Sequence, residues 1–82
     1  MILRQTLPHP VNGQQVIDWR VSGRTIIDSK GSYTEVCTYF PHDLVYVKRG
    51  KTEKQTLGNA RRRLRTFPEY RDSKFEYVEN EK

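Results

Sequence analysis

QQVIDWRVSGRTIIDSKGSYTEVCTYFPHDLVYVKRG, residues 14–50, is the stretch on which the fold turns. Val16-Ile17-Asp18-Trp19-Arg20-Val21 alternates, placing Ile17, Trp19 and Val21 on one face and Asp18 and Arg20 on the other. Ser22-Gly23 predicts a tight turn into Thr25-Ile26-Ile27, and Ser29-Lys30-Gly31-Ser32 a second turn into a strand over Tyr33–Phe40. Pro41-His42-Asp43 breaks that strand before Leu44-Val45-Tyr46-Val47 begins another. Turns so closely spaced make consecutive strands antiparallel neighbours, hence a meander.

Toward the N-terminus, Ile2, Leu3 and Leu7 precede Pro8-His9-Pro10-Val11-Asn12-Gly13. That pattern predicts a short strand or arm followed by a loop over residues 1–13. Beyond Gly50 the period changes. Thr52 with Gln55 three residues later is a capping-box pattern, and Leu57, Ala60, Leu64 and Phe67 recur at helical spacing until Pro68. A helix over about 53–66 follows, with Gly58 a blemish costing about 1 kcal/mol relative to Ala. Gly58 could instead mark a break, with Asn59 capping a shorter helix. Lys74-Phe75-Glu76-Tyr77-Val78-Glu79 alternates as a final edge strand would, and residues 79–82 read as a frayed tail. The fold class is α+β: one small domain over 1–82, with an antiparallel sheet of four to five strands and one basic amphipathic helix packed on a face.

Ile, Leu, Val and Phe make up 19 of 82 residues, just above the range that suggests disorder. Trp19 and five tyrosines add area to a core that is small, and homodimerisation would bury more. Cys37, the single cysteine, can form no internal disulfide and has no zinc-motif partners. No apolar run approaches the ~18 residues of a membrane span, and no signal-peptide pattern opens the chain. A bacterial or viral cytoplasm fits that composition, with no membrane partner.

Charge is distributed unevenly. Lys48, Arg49, Lys51, Lys54, Arg61, Arg62, Arg63 and Arg65 fall within eighteen residues opposed only by Glu53, a local charge of +7 in a chain whose formal total is +5. Such concentration favours an anionic partner. At 100° per residue, Arg62 lies almost opposite the stripe of Leu57, Ala60 and Leu64. Lys54, Arg61 and Arg65 line one flank and Arg63 the other. Guanidinium groups make bidentate contacts with phosphate that lysine cannot match. The bland reading is a solvated face, neutralised in part if the acids at 69–81 lie against it. Lys48-Arg49-Gly50-Lys51 forms a second cationic corner, where Gly50 and the amides of the helix start would favour a phosphate. It lacks the paired glycines and Gly-Lys-Ser/Thr ending of a nucleotide-binding loop.

The remaining features are weaker. Tyr33, Tyr39 and Cys37 share one strand face and could stack unpaired bases, although tyrosines in so small a domain are more often core filler. Cys37 reads as a small buried hydrophobe. His9 and His42 have no metal-ligand spacing. A ribonuclease built on His42 or Tyr70 as base, with Arg65 or Arg71 on the phosphorane, would use residues that are ordinary loop composition. Catalysis, cofactors and metals are therefore not expected. The composition points to a small nucleic-acid-binding protein, DNA or RNA, that uses the eight basic residues on the phosphate backbone. The alternative is a small regulator or inhibitor, of the phage or accessory type, that docks on an acidic protein surface.

Overall fold

The computed structural model describes residues 1–11, 13–38 and 43–79. Five strands form one antiparallel sheet: β1 (Ile2–Val11), β2 (Gln14–Asp28), β3 (Gly31–Cys37), β4 (Leu44–Lys48) and β5 (Lys74–Val78). One helix, α1 (Glu53–Leu64), separates β4 from β5, followed by a 3-10 turn at Pro68–Tyr70. The spatial order is β4-β3-β2-β1-β5, a four-strand meander whose first strand also receives the last. The shortest extent of the molecule, 19 Å, is the thickness of one sheet and one helix.

Alternation decides which face is covered. Leu3 and Leu7 of β1, Ile17 and Trp19 of β2, Val36 of β3 and Val47 of β4 are buried with Leu57, Ala60 and Leu64 of α1. The fully buried polar side chain in this core, Gln5, is satisfied at both ends. Its Oε1 accepts from Trp19 Nε1 at 2.9 Å, and its Nε2 donates to Ser73 Oγ at 2.9 Å. A buried amide with a partner at each end holds β2, β1 and the entry to β5 in one register.

The α+β class holds, and several local expectations are corrected. Ser22-Gly23 is not a turn. β2 runs on to Asp28, and Gly23 (φ +93°) sits in a bulge where the register against β3 slips between Val21 and Thr25. Pro8-His9-Pro10 belongs to strand rather than loop. β5 pairs only with Ile2–Thr6, so both prolines lie in the half of β1 that β5 does not reach, where a missing N–H is tolerated. β3 ends at Cys37 rather than reaching Phe40; Tyr39, Phe40, Pro41 and His42 lie outside the described residues, as do Asn12 and residues 80–82. The helix ends at Leu64 instead of 66, because Thr66 and Phe67 donate to the Arg63 and Leu64 carbonyls at 3.0 and 3.1 Å and tighten the exit. Gly58 is interior to a continuous helix, so Asn59 is not its cap.

Tyr33 and Cys37 are half-buried on the sheet face away from α1, not in the core. That open face carries one ion pair and one hydrogen-bonded carboxylate. Arg4 donates to both carboxylate oxygens of Asp18, at 2.9 and 3.1 Å, and buried Glu35 accepts from Ser22 Oγ at 2.7 Å and Tyr46 Oη at 3.3 Å. Asp18, with a smaller contribution from Glu76, raises the Arg4 pKa further.

Candidate nucleic-acid interface

The helix start builds the first part of the site. Thr52, extended at φ −127°, caps α1 by accepting from the Gln55 amide at 3.1 Å. The Gln55 carboxamide reaches back to accept from the Lys51 amide at 2.7 Å, and Thr56 Oγ1 accepts from the Gly50 amide at 2.9 Å. The corner is thus folded tightly onto the first helical turn. A Cβ at residue 50 would stand 2.6 Å from Gln55 Cβ, so glycine is needed there for the helix, not for a phosphate. The Gly50 and Lys51 amides and the Gln55 amide of the helix start are all spent internally, which weakens the expectation that this corner offers backbone to an anion. The side chains remain: Arg49 and Lys51, together with Glu53, line a polar recess of about 190 Å³ with Thr25, Thr34 and Thr56.

Asn59 connects corner and helix. Its Nδ2 donates to the Lys48 carbonyl at 2.7 Å while its Oδ1 accepts from Arg62. The two cationic elements, separated in sequence, therefore share one surface. Arg49, Lys51, Lys54, Arg62, Arg63 and Arg65 are exposed and Arg61 is half-buried there, whereas the Lys48 side chain, opposite Tyr33 in the β3–β4 pairing, is exposed on the other face of the sheet and does not join them.

The flank of Lys54, Arg61 and Arg65 is backed by aromatic rings from β5. Lys54 Nζ lies 5.1 Å from the Tyr77 ring centroid and the Arg65 guanidinium 5.6 Å from that of Phe75. These contacts hold two cations over ring faces without neutralising them. Gly58 lies beneath the Tyr77 hydroxyl, leaving a shallow groove across the helix between Lys54, Arg61 and Arg62. Arg61 is partly spent on packing: its Nε is buried without a hydrogen-bond partner.

Glu69 and Glu76 do not close over this surface, and Glu81 lies outside the described residues. β5 docks against β1 with Glu76 opposite Arg4, on the far face of the sheet, and Glu69 lies by Tyr70. Among the described residues no carboxylate pairs with a helix arginine; Glu53 is held by the Met1 amino group at 3.1 Å. The sequence reading missed Asn59 as the bridge and Phe75 and Tyr77 as the backing. The alternation of 75 and 77 signalled a shared face but not the neighbour it would meet.

Among the described residues no cluster of His, Cys, Asp and Glu could hold a metal, and no helix is long and apolar enough to cross a membrane. No protein-family model matches the chain, and no significant match links it to a curated protein or to a solved structure.

Proposed function

We propose that the protein binds nucleic acid through the phosphate backbone, using α1 and the Lys48–Lys51 corner as one cationic surface. The observation that carries the reading is the segregation of charge. Arg49, Lys51 and the cations of α1 gather on the helix side, where among the described residues no carboxylate is paired with a helix arginine, while on the open sheet face Arg4 is paired with Asp18. Phosphate contacts of this kind position a protein without reading sequence, so affinity falls steeply with salt and differs little between sequences. Arg62 is exposed opposite the buried stripe, and its substitution leaves the core untouched.

Fluorescence anisotropy with duplex and single-stranded probes across a salt series tests this. Arg62→Ala is expected to weaken binding similarly for all sequences and to lower the salt slope by about one. Arg62→Glu weakens it further. An acidic protein surface would require the same charge. In that case the parent protein binds both probes only weakly at physiological salt, and Arg62→Ala slows association with that protein instead.

A further inference from the structure

The two edges of the sheet are built differently. β5, at one edge, alternates Lys74 and Glu76 and is followed by Glu79, the charged pattern that discourages a further strand. β4, at the other, reads Leu44-Val45-Tyr46-Val47 before its first charge at Lys48, with no proline or bulge. Leu44 is 52% exposed.

The phase of the ladder says which backbone groups face outward. The Arg49 amide donates to the Ser32 carbonyl at 3.4 Å, so the Arg49–Ser32 pair is hydrogen-bonded toward β3. Alternation along an antiparallel ladder then turns the backbone groups of Lys48, Tyr46 and Leu44 away from β3, toward the free edge. The Lys48 carbonyl confirms the direction, since it is the one that Asn59 reaches from the helix.

We propose that this edge pairs with β4 of a second copy, antiparallel about a two-fold axis at Tyr46. The strand is self-complementary in that register. Tyr46 meets Tyr46 of the other copy, Leu44 meets Lys48, and Val45 meets Val47 on the helix side. All three outward-facing residues find partners, the Lys48 carbonyl taking the Leu44 amide on the lone pair that Asn59 leaves, and the two Lys48 side chains stand at opposite ends of the pairing. A two-fold at Val47 would leave Leu44 unused and bring the lysines together; one at Val45 would leave Lys48 unused. Isologous pairing of this kind makes one ten-stranded sheet with both α1 helices on the same face. The edge is short, so the dimer is weak and concentration-dependent.

Sedimentation equilibrium of the free protein, from micromolar to millimolar, tests the proposal independently of any nucleic acid. The parent is expected to be a reversible dimer at the upper end. Leu44→Lys, which sets like charges opposite each other at both ends, weakens it by roughly tenfold, and Leu44→Glu, which pairs with Lys48, tightens it. Adding Lys48→Glu to Leu44→Lys restores dimerisation. Val16→Lys, an equal change of net charge on an exposed residue of β2, leaves the equilibrium where it was. Trp19 emission checks that each variant remains folded. A parent monomeric at millimolar concentration overturns the proposal. So does a dimer that Leu44→Lys and Leu44→Glu affect alike, or one that Val16→Lys weakens as much as Leu44→Lys.

Discussion

Gly50 and Tyr70 are single residues whose surroundings make measurable demands. At Gly50 the chain presses so closely on Gln55 that a methyl group has no room. Gly50→Ala is expected to cost about 1–3 kcal/mol through displaced backbone, read as a lower denaturation midpoint in urea. A neutral substitution would mean that the corner and first turn shift together at no cost. Tyr70 is buried, its ring edge-on to Phe67 with centroids 6.1 Å apart. Burial first, then Asp43 and Glu69, push its phenol above the ordinary value of 10.0. A folded-state pKa above the unfolded one contributes stability that is complete below about pH 10 and is lost as pH rises through the folded value. Thermal melts across that window should show the loss in the parent and a smaller one in Tyr70→Phe, which keeps the ring and removes the proton. Equal losses in both would assign the alkaline sensitivity to other groups.

Elements differ in how far their own residues announce them, and α1 and β2 are the two extremes. The helix is local: a Thr52 cap, a Gln55 return contact and a stripe at 57, 60 and 64 need nothing from elsewhere in the chain. Its arginine faces follow from the same 100° step. Leu64, fully buried, is where that element meets the sheet. Leu64→Ala is expected to cost about 2–4 kcal/mol, much of the total for so small a domain, and circular dichroism should find the variant largely unfolded. An unchanged melting curve would mean α1 contributes little to stability. β2 was less legible, because Ser22-Gly23 serves a turn and a bulge equally well. Both want a positive φ at glycine, and only the register against β3 separates them. Candidate-site residues divide along the same line. The cations could be read from sequence, whereas the aromatic backing by Phe75 and Tyr77 depends on β5 returning beside β1, and no local pattern encodes that choice.

At the scale of the whole molecule, helix and corner make one cationic side, the open sheet face mixes both signs with Arg4 paired to Asp18, and the β4 edge, apolar until Lys48, lies between them. Nucleic-acid binding on α1 and self-association along β4 would then meet only where Asn59 holds the Lys48 carbonyl, so Arg62→Glu should leave the sedimentation behaviour of the free protein as it was. A shift in both would show the two surfaces to be coupled. The return of β5 to β1 has a further consequence, for biosynthesis. A ribosome delivers β1 first and β5 last, yet Ile2 pairs with Val78 and Gln5 waits for Ser73. Until the last strand emerges, the nascent chain carries an unfinished margin along its first strand and half of a buried amide without its partner. The meander can assemble early, but the closing contact joins Ile2 to Val78, the kind of non-local pairing that slows folding. Nascent chains stalled before Lys74 leaves the exit tunnel should accordingly be cut rapidly by protease, and become resistant only when the final strand is released.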